Sequence, residues 1–461
     1  MTRLSTGWKR AAAVALASVS LFSVTAASAL EVTVWCWDPN FNGATMKEAA
    51  ERYTALHPDV TFNIVDFAKA DLETKLQAQL ASGTTDGLPD IVLIEDYGAQ
   101  KYLQSFPGAF EPLNSAVDYS GFAPYKVELA TVNGQTYSLP FDSGVTGYFY
   151  RSDLLAEAGF DAAALENITW DKLIEIGKAV KEKTGGTLLP IDPNDAGWLR
   201  IMMQSAGSWY FNPDGSVHIA DNPVLKASIE TYQRLLAAGI SKPVAGWTEY
   251  TGSFTSGDTL STFTGVWMTG TIKANADQSG LWGVAPSPRL DGVEGASNAS
   301  NLGGSSWYVL SSAPQKDIAI DFLTSIWAKD VDFYQKILVN QGALGSLLAA
   351  REGEAYKASD AFFSDQPVWQ NFSDWLAAIP AVNYGIFTEE ADNAVVAQVP
   401  AITSGGNIDE IIDAIDAQVR QQTQLSPFSG PPPKAGAFLP QPRRHSRENG
   451  NPLGFARRIP L

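Results

Sequence analysis

The sequence predicts an α/β fold of two lobes, each a mainly parallel sheet flanked by helices, with a cleft between them. Three observations carry this reading. At 461 residues the chain exceeds what one ordinary hydrophobic core organises, so two lobes are expected. Between residues 31 and 94, strand-like apolar runs alternate with helical ones, which is the rhythm of a parallel sheet. Residues 134–159, GQTYSLPFDSGVTGYFYRSDLLAEAG, read as a strand ending at Pro140, a polar turn at Asp142 and Ser143, an aromatic strand over 145–150 and a helix that Ser152 caps. An extended passage of this kind is what joins two α/β halves across a cleft.

The elements follow in order. Residues 31–37 alternate, with Val32, Val34 and Cys36 on one face and Thr33, Trp35 and Trp37 on the other; both faces are largely apolar, so the strand is covered on both sides. A loop over 38–43 and a helix over 44–56 come next, and His57-Pro58 ends that helix. A strand over 60–65 leads to a helix from Asp71, with Leu72, Leu76 and Leu80 on one stripe and a stop at Ser82-Gly83. The third strand, over 89–94, carries Glu95, Asp96 and Tyr97 at its carboxyl end. Ligands of open parallel sheets collect at the carboxyl ends of strands, so these three are expected to share one rim with Trp37, Asp38, Asn40 and Asp66. Beyond the crossover, helices are expected over 169–183, 198–206 and 223–238, and strand-like pieces at 188–191, 254–257, 265–267, 282–286 and 307–310. A helix from Asp317 buries Ile318, Phe322 and Ile326, and two more helical regions lie near Tyr334 and over 408–419.

The composition, 45% hydrophobic and 18% charged, is that of a soluble globular protein. Residues 1–29 differ. Arg3, Lys9 and Arg10 precede an apolar run over 11–24, and Ala27-Ser28-Ala29 has the small-residue pattern of a secretory signal peptide cleaved near Ala29, which places the mature chain outside the cytoplasm. The single cysteine, Cys36, has no internal disulfide partner and lies too far past the cleavage point to carry a lipid anchor. Residues 426–461, with Pro431-Pro432-Pro433 and a basic stretch, lack periodicity and are expected to be disordered and without a role. The formal net charge is -18, and the two basic ends leave the body between them more acidic still. Such a body repels nucleic acid and anionic lipid, so a neutral ligand is the natural partner and a cation the alternative.

The crossover carries Gly134-x-x-Tyr137-x-x-Pro140, then Tyr150-x-x-Asp153-Leu154 and Ala158-Gly159. Around it, in order, stand Val34-Trp35-x-Trp37-Asp38, Leu88-Pro89-Asp90-Ile91, Phe254-Thr255-Ser256-Gly257, Gly265-Val266-Trp267, Trp282-Gly283-Val284-Ala285-Pro286, Gly303-Gly304-Ser305-Ser306-Trp307 and Asp321-Phe322-Leu323. This ordered set, over residues 31–425, resembles the extracellular solute-binding proteins of the maltose-binding type that deliver sugars to ABC importers. Gly342-Ala343-Leu344-Gly345 departs from it, standing where many relatives have a proline-containing turn. The resemblance implies a periplasmic-binding-protein-like type II fold, with a first lobe of residues 30–141 and 303–345 and a second of 142–302 and 346–425. It also implies hinges near 140–143 and 300–303, a sugar in the interlobe cleft, and an inner-membrane permease as partner to a monomer.

A sugar presents apolar C–H faces to indole rings and hydroxyl edges to carboxylates and amides. Thirteen tryptophans are more than core packing needs. Trp37, Trp209, Trp247, Trp267 and Trp307 adjoin strand ends or glycine loops; the resemblance favours Trp247 and Trp307 as stacking residues, with Gly304 beside the latter. Trp35, Trp170, Trp282, Trp327 and Trp375 are read as structural. Asp38, Glu95, Asp96 and Asp142 are the candidate carboxylates, with Asn40, Asn301 and Tyr97 beside them and Arg200 behind. The competing reading is that surface acids are merely solvated and that strand tryptophans are core. His57, His218 and His445 have no metal-ligand spacing, and neither a Gly-x-Ser-x-Gly elbow nor a phosphate loop is present, so no catalytic residue, metal or cofactor is expected. The expected function is periplasmic capture of a di- or oligosaccharide. The alternatives are a secreted glycoside hydrolase, which also uses paired acids, and a receptor for a cation such as a polyamine.

Overall fold

The computed structural model describes residues 30–424; the expected signal peptide at 1–29 and the expected tail at 426–461 lie outside the described residues. Alternation makes Leu30–Trp37 a central strand. It pairs in parallel with Val60–Phe67 over its whole length and with Ile91–Glu95 through Val34 and Trp35. Both its faces are covered: Val32, Val34 and Cys36 enter the main core, while Trp35 joins a second cluster with Leu72, Leu76, Val92 and Tyr102. The helices Asn42–Leu56 and Lys69–Ser82 begin two residues before their expected starts. For the first of them the cause is Asp38, whose left-handed backbone (φ 58°) and carboxylate, accepting from the Asn40 and Phe41 amides, tighten the preceding loop. Helix Trp170–Thr184 starts where the Thr169 hydroxyl accepts from the Lys172 amide at 3.2 Å and ends at Gly185, whose φ of 72° suits glycine.

Outward from Ile91–Glu95 the pairing becomes antiparallel. The seven-stranded sheet runs Val60–Phe67, Leu30–Trp37, Ile91–Glu95, Asn301–Val309, Ser138–Arg151 and Trp282–Pro286, and Ser261–Gly265 pairs with the far half of Ser138–Arg151. The parallel rhythm therefore holds for the first three strands, and the sheet as a whole is mixed. In the second lobe, the end of Ser138–Arg151 has an antiparallel neighbour on each side, because the chain enters that lobe along this strand and its neighbours run back against it.

The turn expected at Asp142 and Ser143 does not form. Residues 138–151 are one strand, because the returning strand Asn301–Val309 supplies backbone partners from Ser138 to Val145. Ser152 does not cap the next helix; its hydroxyl donates to the Leu281 carbonyl at 3.0 Å. Residues 254–257, expected as strand-like, instead close the helix Gly246–Thr255.

The two strands that connect the lobes approach unusually closely. The returning strand shifts register between Asn301 and Gly304, where Gly303 and Gly304 hold φ of 80° and 90°. A Cβ on Gly144 would lie 2.3 Å from the Leu302 carbonyl oxygen, and one on Gly304 would lie 2.7 Å from an Asp96 carboxylate oxygen. Only glycine fits where backbones come this near. Gly144→Ala is therefore expected to lower the unfolding free energy by about 2 kcal/mol, read from the denaturant midpoint. An unchanged midpoint would show that the strands have room to part.

Candidate functional site

A cavity of about 930 Å³ lies between the lobes, against the strands that join them. The first lobe contributes the residues just past its strand ends. Trp37, Asp38 and Asn40 follow Leu30–Trp37, Lys69 opens the helix after Val60–Phe67, and Glu95 ends Ile91–Glu95. The joining strands contribute Asp142, Gly303, Gly304 and Ser305, and the second lobe contributes Trp247, Trp267 and Thr271.

The indoles form an aromatic wall. Trp267 follows Gly265 at a strand end, and its Nε1 donates to the Leu302 carbonyl at 3.0 Å, which fixes the ring against the returning strand. A Cβ on Gly265 would overlap that indole. Trp247, on helix Gly246–Thr255, is 57% exposed, its ring centroid 5.7 Å from that of Trp267. The two indoles thus present a continuous aromatic face to the cavity.

The carboxylates are held by protein donors. Asp38 accepts from the Asn40 and Phe41 amides, both at 3.1 Å. Glu95 pairs with the Lys69 ammonium at 2.9 Å, and Lys69 also reaches Glu73 at 2.8 Å. Burial opposes the Lys69 charge, but the Glu95 and Glu73 carboxylates outweigh it and raise its pKa. Asp142 accepts from the Ser305 amide at 2.8 Å and from the Ser305 hydroxyl. Burial raises the Asp142 pKa, while Lys126 and these bonds from Ser305 work against the rise.

Trp37, Asp38, Asn40, Glu95, Asp142, Trp247, Trp267 and Gly304 thus border one cavity. Four other expected residues do not. Asp96 is 2% exposed, with both oxygens on the Lys126 ammonium at 2.6 and 2.8 Å; burial pushes its carboxyl up to about 7 against the pull of Lys126. Lys126 also donates to the Ser305 carbonyl at 2.8 Å, so the pair sits beneath the returning strand. Trp307 is fully buried between Phe141, at 5.7 Å, and Trp327, at 5.6 Å. Trp307 keeps the alternation of the returning strand, opposite Leu93 as Ser305 is opposite Glu95, but it lies two residues further from the strand's irregular end, where Phe141 and Trp327 cover that face. Asn301 is buried and spends its amide on the Gly303 carbonyl, at 2.8 Å, and on the Tyr384 hydroxyl, at 3.2 Å. Tyr97 turns away from the cavity and packs on Trp209, which is itself core.

Lys69, Asn42, Gln341 and Thr271 line the cavity without having been expected there. Lys69 lies just past a strand end, where the rim rule points. Gln341 comes from the end of the distant helix Val331–Gln341 and carries no local signal.

These features define a two-lobed α/β protein with a cavity between its lobes, beside the strands that join them. The chain belongs to the bacterial extracellular solute-binding protein family, whose model matches residues 48–364. It is 60% identical over 416 residues to a lactose-binding protein of Rhizobium radiobacter, covering 90% of this chain and 98% of that one. Among solved structures it is similar to the GacH receptor of Streptomyces glaucescens, with a TM-score of 0.71, 19% identity and coverage of 86% of this chain and 98% of that one. It is equally similar to the galacto-N-biose-/lacto-N-biose I-binding protein of the ABC transporter from Bifidobacterium longum, with a TM-score of 0.71, 20% identity and coverage of 87% and 98%. At such identities the two structures attest the fold. The expected two-lobed α/β fold and the resemblance to solute-binding proteins are borne out, while the expectation of mainly parallel sheets is corrected to a mixed sheet. Among the described residues no helix is long and apolar enough to cross a membrane.

Lys126→Met leaves Asp96 buried beside no cation and is expected to cost about 3–5 kcal/mol of stability. Trp307→Ala opens a core cavity and is expected to cost about 3–5 kcal/mol. Denaturant unfolding measures both, and a loss near zero for either variant would contradict its structural assignment.

Proposed function

We propose that this protein captures a neutral disaccharide of the lactose type outside the cytoplasm and delivers it to an inner-membrane ABC permease. The observation that carries this is the 60% identity to a lactose-binding protein along nearly the whole of both chains. The cavity supports it. Its volume of about 930 Å³ has room for two hexose rings, Trp247 and Trp267 offer faces for stacking, and Asp38, Glu95 and Asp142 offer acceptors for hydroxyls. A neutral solute is favoured over a cation because each of these carboxylates already accepts from a protein donor, and a polyamine would have to displace Lys69 from Glu95. The same engagement disfavours a glycosidase, which needs one carboxyl free as proton donor and another free as base or nucleophile.

On this reading the sugar bridges a first lobe of residues 30–141 and 303–345 and a second of 142–302 and 346–425. It stabilises the closed form, and the permease reads that closure. The protein acts as a monomer in the periplasm, exported by the segment 1–29.

Calorimetry with lactose is expected to give micromolar affinity, about -8 kcal/mol, with little dependence on salt and with the sugar recovered intact. Affinity that collapses with salt would favour a charged ligand, and recovered monosaccharides would favour a hydrolase. Trp267→Ala is expected to weaken binding by about 1 kcal/mol or more; an unchanged affinity would remove that indole from the site.

A further inference from the structure

We propose that Tyr97 is a positioning residue for solute capture: carried by the first lobe and seated in the second, it sets the angle between them while its hydroxyl holds the Gly303 wall of the cavity. The proposal rests on the solute-capture reading above. It starts from a sequence of three neighbours with three different surroundings. Glu95 borders the cavity, Asp96 is tied to Lys126 inside the first lobe, and the Tyr97 ring packs among residues of the other lobe.

The ring of Tyr97 lies parallel to Trp209, with centroids 5.8 Å apart and planes 11° apart, and its centroid is 4.7 Å from that of Tyr384. The Arg200 guanidinium carbon sits 4.7 Å from the ring centroid, an arrangement in which cation and π-face attract. Arg200 is itself pinned by Asp392 at 3.1 Å and Asp195 at 3.4 Å. These partners come from helix Gly197–Ser205, the segment after it and the chain leading into helix Thr388–Thr403, all of them second-lobe elements. The Tyr97 hydroxyl accepts from the Gly303 amide at 3.2 Å and donates to the Asn301 carbonyl at 3.4 Å, so it grips the irregular stretch of the returning strand.

A rotation of the lobes about that stretch must therefore slide the Tyr97 ring across Trp209 or draw it from beneath Arg200. Solute resting on Glu95 and Gly303 would press on the residues to either side of this joint. Tyr97 does this without touching solute, since it is 8% exposed and is not part of the cavity wall. Removing the joint should redistribute the interlobe angles, and apparent affinity then falls with the population of the binding-competent angle.

The test labels Glu51→Cys and Glu182→Cys, both exposed sites on opposite lobes, in the exported protein; Cys36 is buried. Interlobe distance distributions are recorded without sugar, and lactose affinity is measured in parallel. Tyr97→Phe keeps the ring and is expected to leave the sugar-free distribution unchanged while weakening lactose binding about threefold, through loss of the bond from Gly303. Tyr97→Leu is expected to shift the sugar-free distribution and to weaken binding about tenfold, matching the population shift. Arg200→Lys keeps the charge facing Asp392 but loses the planar group over the ring; it is expected to shift the distribution in the same direction and decides the matter should Tyr97→Leu fail to fold. A sugar-free distribution unchanged in both Tyr97→Leu and Arg200→Lys would overturn the proposal, as would a shifted distribution with unaltered affinity. Wild-type protein that ignores lactose would instead overturn the sugar reading, and the sugar-free distances would still decide whether Tyr97 sets the angle.

Discussion

Two strands pass from one lobe to the other, and they do so closer together than side chains allow. Gly144 on the outgoing strand faces Leu302 and Gly303 on the returning one, and Gly304 lies against Asp96. Beneath this contact the Lys126–Asp96 ion pair is shut away from water, and Lys126 also holds the Ser305 carbonyl. A buried pair of this kind adds little net stability, but breaking it leaves an uncompensated charge, so it enforces one geometry. That geometry places Asp142, Gly304 and Ser305 on the floor of the cavity and fixes where the two lobes diverge.

The cavity's two walls have different chemistry for reasons that lie in their elements. The first-lobe wall comes from the carboxyl ends of parallel strands, where loops and helix starts bring backbone amides and short polar side chains together; Asp38 and its two amide donors are the example. The second-lobe wall comes from the helix Gly246–Thr255 and the turn after Ser261–Gly265, and it presents Trp247 and Trp267. A solute that fills both meets hydrogen-bonding groups on one side and aromatic faces on the other. On the proposed reading neither wall alone suffices for such a solute, which would link its binding to closure.

The first-lobe rim was legible because strand direction follows from the alternation of strand and helix, and strand direction says which end of each strand faces the cleft. Trp37, Asp38, Asn40 and Glu95 were found in this way, and Lys69 lay within reach of the same argument. Trp247 and Trp267 were found from their setting beside glycine turns and from the resemblance to a family. Trp307 carried the same surface signal, a tryptophan after a glycine pair, yet it is core: two residues along the strand from Ser305 its face is covered by Phe141 and Trp327, and no local pattern records how far along a strand that cover begins. Asp96 and Tyr97 failed for a related reason, since their partners Lys126, Trp209 and Arg200 lie far along the chain.

By itself the sequence determined the α/β class, many of the longer helices though not Val368–Ala377 or Thr388–Thr403, the strand rhythm of the first lobe, and the family. All of these rest on local periodicity, on capping chemistry or on motifs in a fixed order. Tertiary structure decided that residues 138–151 form one unbroken strand, that the sheet is mixed, and which of the rim residues meet across a cavity. These outcomes depend on the pairing of Ser138–Arg151 with a strand more than a hundred residues away, and on close approaches such as Gly144 to Leu302. Backbone pairing and close packing are properties of two segments together, and neither segment specifies them alone.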